Sequence, residues 1–222
     1  MSLILHIQSV LEIAHIGIAR SGKMIAGVEN SQTRDHAAFI QPAIQQLLQE
    51  TGIRIQELNA ISAVHGPGSY TGIRVGLSAA KGLCFALEIP LLSINTLEWM
   101  AQAALPLAQD LVCPMIDARR MEVFTAVFQK NGQEWMAPAA VVLDKDFLSD
   151  ELSRHHMLFF GGGAAKFRAL TDHFNAVFES LEPGHSELAS ISWNLYQQRV
   201  FTDLNQGVPA YGKAFHSPGP KP

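Results

Sequence analysis

A glycine-rich segment at residues 66–72 contains the residue types best suited to binding an anion. It reads Gly66, Pro67, Gly68, Ser69, Tyr70, Thr71 and Gly72, between a predicted strand and a predicted helix. Unpaired N–H groups and the helix dipole favour a phosphate at such a helix start. The segment does not match a P-loop, because Ile73 and Arg74 follow Gly72 in place of Lys and Ser or Thr. A tight turn that packs the strand against the helix is the other interpretation, and the sequence leaves both open.

Acidic and hydroxyl residues could form an acid–base or nucleophilic site. Asp117, Arg119 and Glu122 lie close together in the sequence. They could act as an acid–base set, or they could form a structured turn in which Asp117 ends a strand and Arg119 bridges carboxylates. Ser69 lacks the GxSxG context of a serine nucleophile, and Ser69 and Thr71 are expected to hydrogen-bond the backbone of their own turn. The sequence therefore predicts no catalytic residue.

The spacing of histidine and cysteine residues gives no sign of a metal site. The chain has nine histidines and two cysteines, Cys84 and Cys113, but no HExxH, HxxxH or CxxC pattern. Such short spacings place two ligands next to each other on one element, and sequence-based recognition of metal sites depends on them. We therefore predict no metal ligand, no metallopeptidase site and no disulfide framework.

Composition and charge exclude several classes of protein. The 222-residue chain is 48% hydrophobic and 16% charged, with a formal net charge of −4. A negative chain without a basic stripe binds nucleic acid poorly by itself. No apolar stretch is long enough to span a membrane and no signal peptide is recognisable, so the sequence favours the cytoplasm. The charged fraction is below the roughly 25% of an average soluble domain, which favours a surface covered by a partner.

Hydrophobic periodicity predicts the same order of elements twice: three strands, a helix, a strand and a helix. In the first half the strands cover 3–8, 12–19, 23–29, 60–65 and 89–93, with helices at 35–50, from the glycine-rich segment to about 87, and at 96–106. In the second half the strands cover 111–117, 122–129, 135–143, 157–160 and 176–178, with helices at 146–154, 161–173 and 187–205 and a loose tail from Gly207. This order predicts an α/β fold with two lobes, 1–105 and 106–222, each a mixed sheet with packed helices.

The glycine-rich segment and its surroundings resemble the signature of a known family. Residues 65–77, followed by Ala79, Ala80, Lys81, Gly82 and Leu83, are similar to GPGSFTGLRIGLxxAKGL of the bacterial TsaB (YeaZ) family. Shorter matches follow in the family's order: residues 117–124 resemble DARxxEVY, 161–164 resemble GxGA, and 209–213 resemble PxYxR. The resemblance spans nearly the whole chain. It implies two duplicated actin/Hsp70-like (ribonuclease H-like) lobes.

The resemblance also implies a role. TsaB proteins are non-catalytic relatives of TsaD, which transfers a threonylcarbamoyl group to the adenosine next to the anticodon of tRNAs that read ANN codons. The family implies a scaffold that binds TsaD and TsaE, with TsaC in the same pathway. The negative charge leads us to expect tRNA contact mainly through the complex, and apolar helix faces without a partner would pair with a second copy, so we expect a homodimer when the chain is alone. No cofactor is assigned to this chain, although ATP or ADP could bind at the junction of the complex. The expected partner-binding residues lie on the first-lobe helices: His36, Ile40, Ile44, Leu47, Arg74, Leu77, Ala80, Lys81 and Cys84.

The turn after the first strand departs from the family pattern. The family usually has Asp-Thr-Ser/Ala-Thr there, and in the superfamily this Asp holds the metal-bound water near the nucleotide. This chain has Gln8, Ser9, Val10 and Leu11, so it lacks the carboxylate and is expected to hydrolyse ATP poorly. An active kinase or ATPase of the same superfamily and a glycoprotease-like peptidase remain as alternatives. Gln8 argues against the first alternative, and the missing metal ligands argue against the second.

Overall fold

Each half of the chain folds around a five-stranded mixed sheet in the computed structural model, which describes residues 2–32 and 36–212. The strands of the first sheet are β1 (Leu3–Gln8), β2 (Ala14–Arg20), β3 (Lys23–Asn30), β4 (Ala60–Gly66) and β5 (Leu91–Asn95). Those of the second sheet are β6 (Leu111–Asp117), β7 (Glu122–Gln129), β8 (Glu134–Val142), β9 (Met157–Phe160) and β10 (Ala176–Phe178).

The helices connect these strands and cover the sheets. They are α1 (His36–Thr51), α2 (Tyr70–Leu87), α3 (Thr96–Ala104), α4 (Ser149–Leu152), α5 (Ala164–Arg168) and α6 (His185–Gln197), with short 3₁₀ helices at Ile55–Glu57 and Leu105–Leu107. Within the described residues, none of the helices combines the length and the hydrophobicity that a membrane crossing requires.

The two sheets have the same topology. Their strand orders are β3-β2-β1-β4-β5 and β8-β7-β6-β9-β10. In each sheet, three antiparallel strands form a meander, and the last two strands add in parallel on the other side of the first strand. Parallel strands need crossover connections, which the intervening helices supply. The predicted duplication and the predicted fold class are therefore confirmed.

Both faces of the first sheet are covered by helices. Alternate residues of a strand point to opposite faces. On β1, Leu5 and Ile7 join a buried cluster with residues of α1 and α2, whereas Ile4 packs with residues of α6. This double coverage explains why β1 reads as a nearly continuous apolar run rather than an alternating one.

Two helices join the lobes. Helix α6 lies near the end of the described chain but packs on β1, β2, β3 and β5 of the first sheet. Helix α3 packs on both sheets, because Met100 clusters with Val112 and Phe124 of the second sheet while Trp99 clusters with Val64 of the first. The division of the chain between residues 105 and 106 stays a prediction. Helix α3 precedes this division but packs on the second sheet, and α6 follows it but packs on the first sheet.

Helices α4 and α5 are much shorter than predicted. They cover only Ser149–Leu152 and Ala164–Arg168, in place of 146–154 and 161–173. Leu148 adopts a left-handed conformation with a φ of 56°, so α4 begins only after it. After α5, Oγ1 of Thr171 accepts from the N–H of His173, and this side-chain bond competes with the helical hydrogen bonds.

Helix α6 ends at Gln197 rather than at the predicted residue 205. Arg199 adopts a left-handed conformation with a φ of 56°, and the N–H of Val200 donates to the carbonyl of Leu195. This arrangement is a Schellman motif, which stops a helix even without a glycine. An arginine at position 199 does not predict a left-handed conformation from the sequence.

The end of the described chain is packed rather than loose. The N–H of Ala210 donates to the carbonyl of His65 at 2.9 Å, and Nζ of Lys81 donates to the carbonyl of Gly207 at 3.1 Å. These contacts correct the expectation of a loose tail for residues 207–212. Residues 213–222 lie outside the described residues, as does Asp35, the predicted first residue of α1.

A buried histidine joins α6 to the central strand of the first sheet. His6 is 1% exposed, and its Nδ1 lies 3.3 Å from Oγ of Ser192 on α6. Burial, reinforced by the charge of His185, lowers the pKa of His6 to about 3. On β2, burial and the charge of His185 lower the pKa of His15 to about 4, although Glu29 acts in the opposite direction. Both imidazoles are therefore neutral in the folded protein near neutral pH.

We predict that acid destabilises the protein through these two histidines. Below the ordinary histidine pKa of 6.5, the unfolded chain gains protons that the folded chain does not bind. The free energy of unfolding then falls by up to about 1.4 kcal/mol per pH unit for each histidine. The fall continues to the folded pKa values of about 4 and about 3.

Urea unfolding between about pH 7 and about pH 5 measures this loss. In a His6→Phe variant the slope of the unfolding free energy against pH should be smaller by up to about 1.4 kcal/mol per pH unit, because the proton linked to His6 is removed. A stability that stays constant over this range would contradict the assignment.

Candidate functional site

Three turns meet where the central strands β1 and β4 of the first sheet end. We call them the first turn (residues 8–11), the glycine turn (residues 66–72) and the C-terminal segment (residues 209–212). The N–H of Ser69 in the glycine turn donates to the carbonyl of Val10 in the first turn at 2.8 Å, and Ala210 of the C-terminal segment bonds to His65. Open α/β sheets place ligands at this edge. The contacts among the turns therefore decide whether an anion could bind there.

Gln8 holds the first turn closed. Its side chain is fully buried, and its Oε1 accepts hydrogen bonds from the N–H groups of Val10 at 2.6 Å and Leu11 at 3.2 Å. Its Nε2 donates to the carbonyl of Ile13 at 2.8 Å. Both polar atoms of the amide are thus used within the turn. The first turn provides no carboxylate that could hold a metal-bound water.

The start of α2 is filled by the chain itself. Ser69 caps the helix, because its Oγ accepts from the N–H of Gly72 at 3.2 Å. Oγ of Ser9 donates to the carbonyl of Gly72 at 2.8 Å, and a Cβ on Gly72 would overlap the carbonyl oxygen of Ser9. A Cβ on Gly68 would lie 2.5 Å from the carbonyl oxygen of Val10. The glycines therefore permit a contact of backbone against backbone, which supports the tight-turn interpretation over a phosphate site.

The C-terminal segment covers the glycine turn through stacked aromatic rings and a cation. Tyr211 stacks on Tyr70 with ring centroids 4.9 Å apart. Nε of Arg74 donates to the Tyr211 hydroxyl at 2.6 Å, and the guanidinium carbon lies 4.0 Å from the Tyr70 ring centroid. Gly66, with a φ of 116°, leaves space for the carbonyl of Ala210. Sequence reasoning gives Tyr211 no role beyond the PxYxR resemblance, because Arg74 lies 137 positions away.

Pro67 connects the glycine turn to the second lobe through Gly212. Pro67 follows Gly66 in a cis peptide bond. A Cβ on Gly212 would lie 3.4 Å from Cβ of Pro67 and 2.7 Å from the ring of Phe124 on β7. The backbone of Gly212 therefore lies in close contact with both lobes, and there is no room for a side chain at this position. Thr71, by contrast, is exposed in the first turn of α2.

Asp117 occupies in the second sheet the place that Gln8 has in the first. Each is the last residue of the first strand of its sheet, and each side chain accepts the N–H of the residue two positions later, which for Asp117 is Arg119 at 2.6 Å. Nζ of Lys166 donates to the same Asp117 oxygen at 2.7 Å and to the carbonyl of Glu122 at 3.0 Å. The Lys166 hydrogen bond, followed by that of the Arg119 N–H, lowers the pKa of Asp117. This set is a structured turn bridged by Lys166, which sequence reasoning missed because it lies 49 positions from Asp117.

Most of the residues expected to bind a partner lie in the core of the first lobe. Seven of them are at most 6% exposed: His36, Ile40, Ile44, Leu47, Leu77, Ala80 and Cys84. The apolar helical spacing that singled them out marks the face of a helix that packs on its own sheet. The expectation of a surface at these side chains is therefore corrected. Arg74 and Lys81 contact the end of the same chain, and the outer side of α2 exposes Ser78, Gly82 and Phe85.

Three potential metal-ligating groups that are distant in the sequence come together on the first lobe. They are His15 on β2, Glu29 on β3 and His185 at the start of α6, whose ligand atoms lie within 4.8 Å of one another. Burial lowers the pKa of His185, against the opposing charges of Glu29 and Glu187. Short-spacing rules do not detect this cluster, because His15 and His185 are 170 positions apart.

Two duplicated mixed sheets joined by helices define the actin/Hsp70-like class of fold. The solved structure of YeaZ from Pseudomonas aeruginosa is similar to this chain over both lobes. The TM-score is 0.80 at 25% sequence identity, and the match covers 95% of this chain and 100% of that chain.

Sequence comparisons give the family. The family model described as "TsaD: tRNA N6-adenosine threonylcarbamoyltransferase" matches residues 23–189. The chain is 36% identical over 118 residues to the tRNA threonylcarbamoyladenosine biosynthesis protein TsaB of Bacillus subtilis, covering 53% of this chain and 51% of that protein. It is 34% identical over 129 residues to the TsaB protein of Escherichia coli, covering 58% and 55%. The matched segments thus span about half the length of these curated relatives. The chain belongs to the family of that model, within its TsaB (YeaZ) group, as the resemblance predicted.

We predict that Gly72→Ala destabilises the first lobe. The new methyl group would overlap the carbonyl oxygen of Ser9, so the first turn must move away from α2. Overpacking of this kind costs about 1–3 kcal/mol. Gly82→Ala on the same helix is the matched control, because nothing lies within 4 Å of its new Cβ, and alanine is favoured over glycine there by about 0.5–1 kcal/mol.

Urea unfolding of both variants measures the difference. Gly72→Ala should unfold at a lower urea concentration than the unchanged protein, and Gly82→Ala at an equal or higher one. Equal stability of the two variants would argue against a tight contact at Gly72.

Proposed function

We propose that this chain is a non-catalytic subunit in tRNA threonylcarbamoyladenosine biosynthesis that binds and activates a TsaD homologue, with a TsaE homologue joining the complex. The observation that carries the proposal is that the chain's own groups fill the place where a nucleotide phosphate would bind, at the first turn and the start of α2. In this complex the TsaD homologue transfers a threonylcarbamoyl group to the adenosine next to the anticodon of tRNAs that read ANN codons. A TsaC homologue acts in the same pathway.

The geometry argues against nucleotide turnover by this chain. Two of the N–H groups that could contact a phosphate at the start of α2 are already bonded, since Gly72 donates to Ser69 and Ser69 donates to Val10. Gln8 offers a neutral amide where a metal-bound water needs a carboxylate. Asp117, at the equivalent place in the second lobe, is paired with Lys166. These contacts favour a binding subunit over the kinase and ATPase alternatives.

The outer sides of α1 and α2 form the surface that we assign to the partner, and we call it the helix surface. It consists of exposed residues of both helices: Ala38, Gln41 and Pro42 on α1, and Ser78, Gly82 and Phe85 on α2. Phe85 is 79% exposed, and burying such a side chain contributes about 1.5–3 kcal/mol. Open space around Gly82 lets another chain approach α2 closely. The exposed residues of α1 from its start to Gln49 carry no charge. This lowers the free-energy cost of desolvating the surface when a partner binds.

The remaining parts of the proposal follow from the charge and from this surface. The same helix surface would pair with a second copy when the partner is absent, because an apolar patch that complements itself gives a symmetric dimer. A net charge of −4 leaves tRNA contact mainly to the partner. ATP or ADP would bind at the junction of the complex, and the assembly would work in the cytoplasm.

We predict that Phe85→Glu weakens the complex with the TsaD homologue from the same source by at least about 10-fold, because an uncompensated charge would be buried in an apolar contact. Light scattering of the mixed proteins, with and without ATP, measures their joint mass. Phe174→Glu is the matched control, since Phe174 is 81% exposed and lies in the second lobe. Ala80→Glu is unsuitable, because Ala80 is fully buried and the charge would disturb the fold.

The outcomes separate the parts of the proposal. Equal binding by Phe85→Glu and the unchanged chain would move the contact away from the helix surface. No complex under either condition would contradict the binding function. ATP hydrolysis by the purified chain alone would contradict the non-catalytic role and favour the ATPase alternative.

A further inference from the structure

A cluster of nitrogen and oxygen ligands lies on the first lobe, outside the three turns. His15 and Glu29 are directly opposite each other on β2 and β3, and His185 reaches them from the start of α6. Nδ1 of His15 lies 3.3 Å from Nε2 of His185 and 3.4 Å from Oε1 of Glu29. Nε2 of His185 lies 3.5 Å from the same oxygen. The three atoms therefore form a nearly equilateral triangle.

This triangle has the dimensions of a tetrahedral metal shell. Zinc binds histidine nitrogen and carboxylate oxygen at about 2.0–2.2 Å. A cation about 2.05 Å from three atoms that are about 3.4 Å apart makes angles of about 112° between its ligands, close to the tetrahedral value. Among residues 2–32 and 36–212, the basic side chains in contact with the Glu29 carboxylate are these two histidines, with no lysine or arginine. The Glu29 carboxylate is therefore not neutralised by a permanently charged group, and a bound divalent cation would supply that positive charge.

The sheet is shaped to hold the His185 ring. Gly17 and Gly27 are paired across β2 and β3. A Cβ on Gly17 would lie 3.1 Å from Nδ1 of His185, and a Cβ on Gly27 would lie 3.0 Å from its Nε2. The ring therefore lies directly on the backbone of two glycines, and a larger residue at either position would displace it.

Further contacts fix the other histidine and the start of α6. The fully buried ring of Trp99 meets the His15 ring edge-on, with centroids 5.8 Å apart. Nε1 of Trp99 donates to the carbonyl of Gly184 at 3.1 Å, and Glu187 accepts the N–H of Gly184 at 3.0 Å. Both the carbonyl and the N–H of Gly184, the residue before His185, are thus hydrogen-bonded. Ligands positioned in advance by such supporting contacts favour metal binding.

We propose that Nδ1 of His15, Nε2 of His185 and Oε1 of Glu29 are the three protein ligands of a site for a zinc-class divalent cation. The side chains of His15, His185 and Glu29 are 8%, 16% and 54% exposed, so an ion enters from the Glu29 side and a water completes the fourth position. Two imidazoles favour Zn²⁺ over Mg²⁺ and Ca²⁺, which take oxygen ligands. The site does not depend on the proposed function.

The cation would join the β2–β3 hairpin to α6. His15 and Glu29 belong to the start of the chain, whereas His185 belongs to its last helix. A ligand that binds only the folded state raises its stability by mass action. Zinc would therefore strengthen the attachment of α6 to the first sheet.

Titration of the full-length chain with Zn²⁺, after treatment with a chelator, tests the site. We expect one Zn²⁺ per chain by calorimetry, a tetrahedral visible spectrum with Co²⁺, and a melting temperature raised by about 5 °C at a zinc concentration about 100 times Kd. The absence of stoichiometric binding would overturn the proposal.

Variants show whether bound zinc occupies this cluster. Glu29→Gln and His185→Gln should each weaken zinc binding by at least about 10-fold and remove the tetrahedral Co²⁺ spectrum. Glu12→Gln and His155→Gln are the matched controls and should bind as the unchanged chain does, since both residues lie outside the cluster. Glu29→Gln keeps the test valid if His185→Gln disturbs the fold, because the Glu29 side chain is half exposed. Equal zinc affinity in all four variants would overturn the proposal.

Discussion

The backbone-to-backbone contact between the first turn and the start of α2 is the constraint on which the first lobe depends. Oγ of Ser9 bonds to the carbonyl of Gly72, and the N–H of Ser69 bonds to Val10, so neither segment can move without the other. Glycine is required at this contact because a Cβ on Gly72 would overlap Ser9. In the same region the N–H groups of Ser69 and Gly72, which a phosphate could otherwise contact, are bonded to Val10 and to the Ser69 side chain. A motif that looks like an anion-binding loop in the sequence therefore serves as a packing device.

Much of the fold could be predicted because local patterns control it. Apolar runs and turn residues locate the strands, several of them to the residue, since a strand buried on both faces leaves a clear signal. The lengths of α4, α5 and α6 could not be predicted in this way. Their ends depend on the left-handed conformations of Leu148 and Arg199 and on the side-chain bond from Thr171. Such competition with the helix is decided by tertiary structure rather than by residue type.

The site was less predictable, because its contacts join residues far apart in the chain. Apolar spacing on α1 and α2 identified side chains such as Leu47 and Leu77, which face the core, while Phe85 on the outer side breaks the pattern. The roles of Tyr211 and Lys166 depend on contacts 137 and 49 positions away. The absence of Asp at Gln8 was visible in the sequence. That the amide closes its own turn was visible only in three dimensions.

The position of α6 ties folding of the first lobe to the order of protein synthesis. The strands of the first sheet are complete at Asn95, yet the face that carries Ile4 and Leu92 is covered by residues of α6. A ribosome releases the chain from its N-terminus, so this apolar face stays open to water until His185–Gln197 has emerged. The two lobes are copies in architecture, but the first one cannot finish folding before most of the second has been made.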